Sequence, residues 1–129
     1  MVFTVRAIIE VLGMPEKHVL EVIEKVIEKL KNEKGITLEK QEITKPELVK
    51  EKYYAAFTEV EVKIINMTLL LQFCYDYLPT SIEIIDTEKI SMSAREFSNA
   101  INDSLIRLHQ YNITITNLIQ KNKELVNKK

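Results

Sequence analysis

The sequence predicts an α+β domain followed by a long C-terminal helix. Up to about Ile85 the apolar residues trade period-two for helical spacing, in the order strand, helix, strand, strand, helix, strand. From Ser91 onward the spacing becomes one heptad, through Phe97, Ile101, Leu108, Tyr111, Ile115, Leu118 and Leu125. No internal repeat, low-complexity tract or flexible linker interrupts the first part. The expected division is a compact domain over 1–88 and a helical extension over 89–129.

Phe3, Val5, Ala7, Ile9 and Val11 alternate with Thr4, Arg6, Ile8, Glu10 and Leu12, which predicts the first strand. Gly13-Met-Pro15 stops it and opens a helix, with Pro15 expected in the first turn and Glu16 favourable at the N-terminus. Val19, Val22, Ile23, Val26, Ile27 and Leu30 form one apolar stripe, and Glu21, Glu24, Lys25, Glu28 and Lys29 face water. Gly35 is expected as the left-handed cap of this helix.

Residues 36–43 read as a polar strand, with Ile36 and Leu38 inward and Lys40 and Glu42 outward; such polarity suits a sheet edge. Lys45-Pro46-Glu47 begins a connection expected to hold one helical turn. Residues 53–64 are the clearest strand. Tyr54, Ala56, Val60, Val62 and Ile64 share one face, and Phe57, Glu59, Glu61 and Lys63 the other. A nearly all-apolar helix over 67–78, expected to be well buried, ends at Pro79. Residues 81–86 give a short last strand with Ile82 and Ile84 inward. This order is the ferredoxin-like βαββαβ pattern, an antiparallel sheet with two helices on one face and the first and third strands central.

Ser93 and Glu96 have capping-box spacing and start the C-terminal helix. With Ile101, Leu108, Ile115 and Asn122 at heptad position a, Phe97, Ser104, Tyr111, Leu118 and Leu125 fall at d, and Leu105, Ile119 and Val126 widen the stripe at e. That breadth suits a bundle or a sheet surface better than a two-stranded seam, and Asn122 could set register against a second copy. The β-branched run Tyr111-Asn-Ile-Thr-Ile-Thr would break the helix on propensity alone. The absence of glycine and proline favours a continuous one. Lys121, Lys123, Lys128 and Lys129 read as a positive helix end that offsets the dipole.

At 129 residues, 46% hydrophobic and 29% charged, the composition is that of one ordinary globular domain. A net charge of −1 provides no global field for nucleic acid or anionic lipid. The single Cys74, and an N-terminus without leader-like features, point to a reducing cytoplasm. No apolar run is long enough to span a bilayer, and the sequons Asn66-Met-Thr and Asn112-Ile-Thr carry no weight without secretion. Two glycines, three prolines, no tryptophan and abundant Ile, Glu and Lys lean toward a thermophile, while the several asparagines lean the other way.

The chemistry-bearing residues form few patterns. His18, His109 and Cys74 share no ligand spacing, so no metal site and no cofactor is expected. Cys74 reads as a buried thiol rather than a nucleophile. Asp76 falls near a helix C-terminus, where the dipole disfavours a carboxylate; with Tyr75 and Tyr77 it marks the candidate ligand pocket, to which Tyr53 and Tyr54 could add. Glu59 and Glu61 could be paired acid/base carboxylates, but Arg6 on the neighbouring strand makes a cross-strand ion pair the stronger reading. Lys52-Tyr-Tyr-Ala-Ala-Phe-Thr-Glu-Val-Glu lacks the glycine of an RNA-recognition strand and sets carboxylates where phosphate would approach, which disfavours nucleic acid. Two glycines exclude the Walker and dinucleotide fingerprints.

Phe73-Cys-Tyr-Asp-Tyr-Leu-Pro-Thr-Ser-Ile-Glu-Ile-Ile85, with Val11-Leu-Gly-Met-Pro15, resembles a small uncharacterised archaeal α+β family of unknown function. The resemblance covers about residues 3–90, implies the fold and an archaeal source, and carries no activity; the C-terminal helix looks particular to this chain. The reading that follows is a non-enzymatic, self-associating interaction or regulatory module, a homodimer or higher homo-oligomer. Its expected surface is Arg6, Ile8, Phe57, Glu59, Ile85 and Ile43 on the open sheet face, with Ile101, Leu108, Tyr111, Ile115 and Leu118 on the helix. The alternatives are a small-ligand sensor or enzyme using Tyr75, Asp76 and Tyr77, and, third, an RNA-binding protein.

Overall fold

The computed structural model describes residues 2–127, and Lys128 and Lys129, expected to extend the positive helix end, lie outside them. The chain forms two compact units, Met1–Met92 and Ser93–Lys129.

The first unit is α+β. Its elements are β1 (Phe3–Gly13), α1 (Glu16–Lys31), β2 (Ile36–Ile43), β3 (Glu47–Lys50), β4 (Tyr53–Ile64), α2 (Met67–Tyr77) and β5 (Ser81–Ile84). The five strands form one antiparallel sheet in the order β2-β4-β1-β5, with β3 also pairing with β4. The two strands with the strongest alternation, β1 and β4, are central. Phe3, Val5, Ala7 and Ile9 of β1 and Val60, Val62 and Ile64 of β4 join Leu30 of α1 and Leu70, Phe73 and Tyr77 of α2 in one buried cluster. A second cluster packs Val19, Ile23 and Ile27 of α1 against Ala56. Both helices therefore cover the same face, and the opposite face stays open.

Local chemistry explains the boundaries. Pro15 sits at the N-cap of α1 rather than inside its first turn. Asn32, not Gly35, caps the other end, its side-chain amide donating to the Glu28 carbonyl at 2.9 Å. Gly35 lies beyond, in the turn before β2, with φ of 79°. It was expected to end the helix; instead it lets α2 approach, because a Cβ there would lie 2.5 Å from Leu69 Cδ1. Asn66 starts α2 by accepting the Leu69 N–H at 2.8 Å. Leu78 ends it in the left-handed conformation, φ 46°, ahead of Pro79.

The segment after Pro46 is a strand, not the expected helical turn: Glu47 pairs with Ala55 and Leu48 with Tyr54. Its short extended run borrows the free edge of β4 where β2 has already ended. In β2 the register shifts between Leu38 and Lys40, so Glu39 is an extra residue. Without that bulge, strict alternation would put Lys40 and Glu42 on the core face with Ile36 and Leu38. The bulge also turns Ile43 to the helix-side face opposite buried Thr58, so Ile43 is not part of the open face. α2 is less buried than its composition implies, with only Leu70, Phe73 and Tyr77 enclosed. The last strand stops at Ile84, and Ile82 stays exposed on this short edge strand.

The second unit is α3 (Ala94–Asn127), unbroken through Tyr111. Ser93 Oγ accepts the Glu96 N–H at 3.1 Å, one half of the expected capping box. Thr114 Oγ1 donates to the Gln110 carbonyl at 3.0 Å, so the β-branched run satisfies its hydroxyl inside the helix instead of breaking it.

Candidate functional site

The open face is built by pairing register. Glu61 and Glu59 of β4 stand opposite Arg6 and Ile8 of β1, Glu83 of β5 stands opposite Arg6 from the other side, and the bulge brings Lys40 opposite Glu61. Three carboxylates therefore converge on one guanidinium. Arg6 Nε is 3.4 Å from Glu59, Nη2 donates to Glu61 at 3.3 Å, and Nη1 is 3.5 Å from Glu83. Lys40 reaches the other Glu61 oxygen at 3.9 Å, and Lys63 pairs with Glu39 at 3.6 Å. The cross-strand ion pair read from the sequence is present and larger than expected.

Arg6, Lys40, Gln41, Glu42, Glu59 and Glu61 line a shallow depression of about 540 Å³. Arg6 offers every edge of its guanidinium to a carboxylate, so it does not present a free fork to a phosphate. Glu42, directly opposite Glu59, adds further negative charge. Glu61, with its side chain 17% exposed, is the most sheltered member.

The other half of the face is apolar. Leu12, Tyr53, Ala55 and Phe57, with Val49 from β3 and Glu10 and Lys50 at the rim, line a cleft of about 550 Å³. Val49, Ala55 and Phe57 also line an adjoining hollow of about 270 Å³ beside Thr44. Thr44 holds this corner: its Oγ1 accepts the Phe57 N–H at 2.9 Å. The sequence reading placed Phe57 on this face and missed the cleft, because residues 47–50 were not expected to pair. The signal available was Leu48-Val49 between polar neighbours, too short to show alternation.

The other expected site residues separate. Tyr77 is buried, stacks on Phe73 with centroids 5.1 Å apart, lies under the Lys29 ammonium at 5.0 Å, and donates its hydroxyl to Glu33 at 3.0 Å. Burial, reinforced by that hydrogen bond, pushes its phenol pKa up. Tyr75 is half-buried and Asp76 exposed, and each has an interaction partner. Neither the depression nor the cleft is lined by these three residues. Cys74 is half-buried, and desolvation raises its thiol pKa, away from thiolate character. Ile8 and Ile85 are half-buried, and Ile85 lines a third hollow with Arg6 and Glu83. On α3, Ile101, Leu108, Tyr111, Ile115 and Leu118 are all exposed.

Among the described residues, no three His, Cys, Asp or Glu side chains are grouped to hold a metal ion, and no helix is long and apolar enough to cross a membrane. An antiparallel α+β sheet protein with a charge-paired open face and a long terminal helix is the class defined so far. The profile of the MJ0538 family matches residues 4–128, so the chain belongs to the MJ0538 family. That match runs through α3, which makes the helix a feature of the family rather than of this chain alone. No curated protein and no solved structure matches the chain.

Proposed function

We propose that this protein is a non-enzymatic interaction module that self-associates through α3. The observation carrying this reading is the exposed apolar stripe Phe97, Ile101, Leu105, Leu108, Tyr111, Ile115, Leu118, Ile119, Leu125 and Val126, whose exposure runs from 41% at Ile101 to 69% at Val126. Half of each such side chain amounts to about 80–100 Å², so the ten together expose roughly 800–1,000 Å² per helix, comparable to the ~800 Å² per partner of a standard interface. A monomer would leave all of it in water, beyond the few hundred Å² usual for a soluble monomer's largest patch.

The partner best supported is a second copy. Sedimentation or light scattering across concentration is expected to give a homo-oligomer, and Leu108→Asp to shift it toward monomer. A wild-type chain that stays monomeric at high concentration sinks the reading.

The strand order supports a ferredoxin-like βαββαβ core with β3 as an insertion, and we divide the chain into that domain at 1–88 and the extension at 89–129. Cysteine usage supports a cytoplasmic setting, and composition with the family resemblance supports an archaeal, thermophilic source. A second reading rests on the apolar cleft: a small-ligand site at Leu12, Val49, Tyr53 and Phe57, with Tyr75, Asp76 and Tyr77 as the sequence-based alternative. A thermal-shift screen of amphipathic small molecules tests it; no stabiliser, or one insensitive to Phe57→Ala, removes the cleft. RNA binding is the weakest reading, because Arg6 is surrounded by Glu59, Glu61 and Glu83.

A further inference from the structure

We propose that α3 pairs with the α3 of a second copy running in the opposite direction, about a two-fold axis level with Ile113, an inference that rests on the self-association reading above. Asn122 of each chain then meets Ser104 of the other.

Direction follows from the unequal flanks of the stripe. Leu105, Ile119 and Val126, all exposed, widen it at heptad position e, whereas position g holds Ala100, Arg107, Thr114 and Lys121. Two parallel helices set the e flank of one against the g flank of the other, so Ile119 would face Thr114 and Val126 would face Lys121. Two antiparallel helices set e against e and g against g. Leu105 of one chain then meets Ile119 of the other, Asn112 meets its own counterpart, and the g flanks stay at the wet margin. The breadth that a parallel seam leaves in water is thereby covered, and opposed helix dipoles add to the preference. Arg107 does approach Lys121 of the second copy on the g flank, where exposure keeps the repulsion small.

Register follows from the polar residues in the seam. In an antiparallel pair each a residue lies level with a d residue of the other helix. With the axis level with Ile113, Ile101 faces Leu125, Leu108 faces Leu118 and Tyr111 faces Ile115, all apolar pairs. The same register sets Ser104 against Asn122, the two small polar members of the seam. Ser104 is half-buried, and among the described residues its shielded Oγ has no hydrogen-bond partner. The Asn122 amide offers both a donor and an acceptor, so it satisfies that hydroxyl in either orientation. Sliding one heptad either way sets the Asn122 amide against the ring of Phe97 or of Tyr111, and an enclosed polar group without a partner is costly. Because both copies use one and the same surface, the contact closes at two chains.

Light scattering and disulfide cross-linking on the full chain test this. The wild type is expected to be a dimer of the 15.0 kDa chain. In a Cys74→Ser background, chains carrying Ser104→Cys and chains carrying Asn122→Cys are mixed, allowed to exchange and mildly oxidised. Ile101→Cys with Leu125→Cys, both exposed positions, forms a second pair, and circular dichroism confirms the helix in every variant. Cross-links are expected between the two different chains of a pair and not between identical chains. Cross-linking of identical chains, cross-linking in neither pair, or a wild-type mass above two chains overturns this direction and register while leaving self-association intact. A wild-type monomer overturns both readings.

Discussion

Gly35→Ala should be among the most damaging single-methyl changes in this chain. Two effects add. The backbone at Gly35 has φ of 79°, where a Cβ costs about 1–2 kcal/mol. The new methyl would also lie 2.5 Å from Leu69 Cδ1 and 3.1 Å from Ile65 Cδ1, so the start of α2 must shift. Leu69 Cδ1 ends a flexible side chain and can swing away, which places the packing cost near the low end of the ~1–3 kcal/mol typical of overpacking. The Ile65 N–H donates to the Gly35 carbonyl at 3.1 Å, which limits how far the turn can retreat. The total is about 2–4 kcal/mol, a large fraction of a small domain's stability. Urea unfolding followed by circular dichroism measures it, with Gly13→Ala as the control. Gly13 lies outside the left-handed region and its Cβ would meet only Val19 Cγ2 at 3.6 Å, so that variant should be neutral or gain about 0.4–1 kcal/mol. Equal midpoints for the two variants would refute the account of Gly35 as the seat of α2.

Three further outcomes are expected. Tyr77→Phe loses the hydrogen bond to Glu33, about 1 kcal/mol at neutral pH. Because the folded state raises the Tyr77 pKa, its contribution is complete below about pH 10 and is lost as pH climbs beyond, so the variant's stability should fall less steeply in alkali. Parallel alkaline limbs in urea titrations would contradict this. Arg6→Met leaves Glu59, Glu61 and Glu83 facing one another; with partly exposed groups, the loss is about 1–2 kcal/mol at low salt and should shrink in ~1 M salt, where the Debye length is about 3 Å. A salt-independent loss would assign Arg6 a packing role instead. Leu78→Asn relieves a left-handed leucine that is 74% exposed and should stabilise by about 0.5–1 kcal/mol in thermal melts; a lower melting temperature would show that the exposed side chain contributes packing.

The sheet and helices were legible where one periodicity dominated. β1, β4 and α1 follow from alternation or an apolar stripe, because burial on one face imposes that pattern on the sequence. Single residues that change register were not legible. Glu39 carries no mark of a bulge, yet it decides that Lys40 joins Glu61 and that Ile43 leaves the open face. Asn66 read as part of a sequon and is in fact the N-cap of α2. The candidate site divides the same way. Arg6 with Glu59 and Glu61 could be predicted because their strands alternate and were expected side by side, while the register of β5 that brings in Glu83 and the pairing of β3 that brings in Val49 are announced by no local pattern.

The distribution of charge ties the two units to one conclusion. In the first unit, ion pairing absorbs the charge of the open face: one guanidinium serves three carboxylates, and the bulge delivers Lys40 to the fourth contact. Around Arg6 the carboxylates outnumber the cations they pair with, so this part of the face does not favour an anionic substrate or a phosphate backbone. The middle of α3 does the opposite and omits charge entirely. If α3 worked as a solvated strut, nothing would select against lysine and glutamate between Leu108 and Gln120, since both favour helix more than the threonine and asparagine found there. Accepting poor helix formers at exposed positions makes physical sense where those positions become buried against another protein surface, which is the self-association proposed for α3.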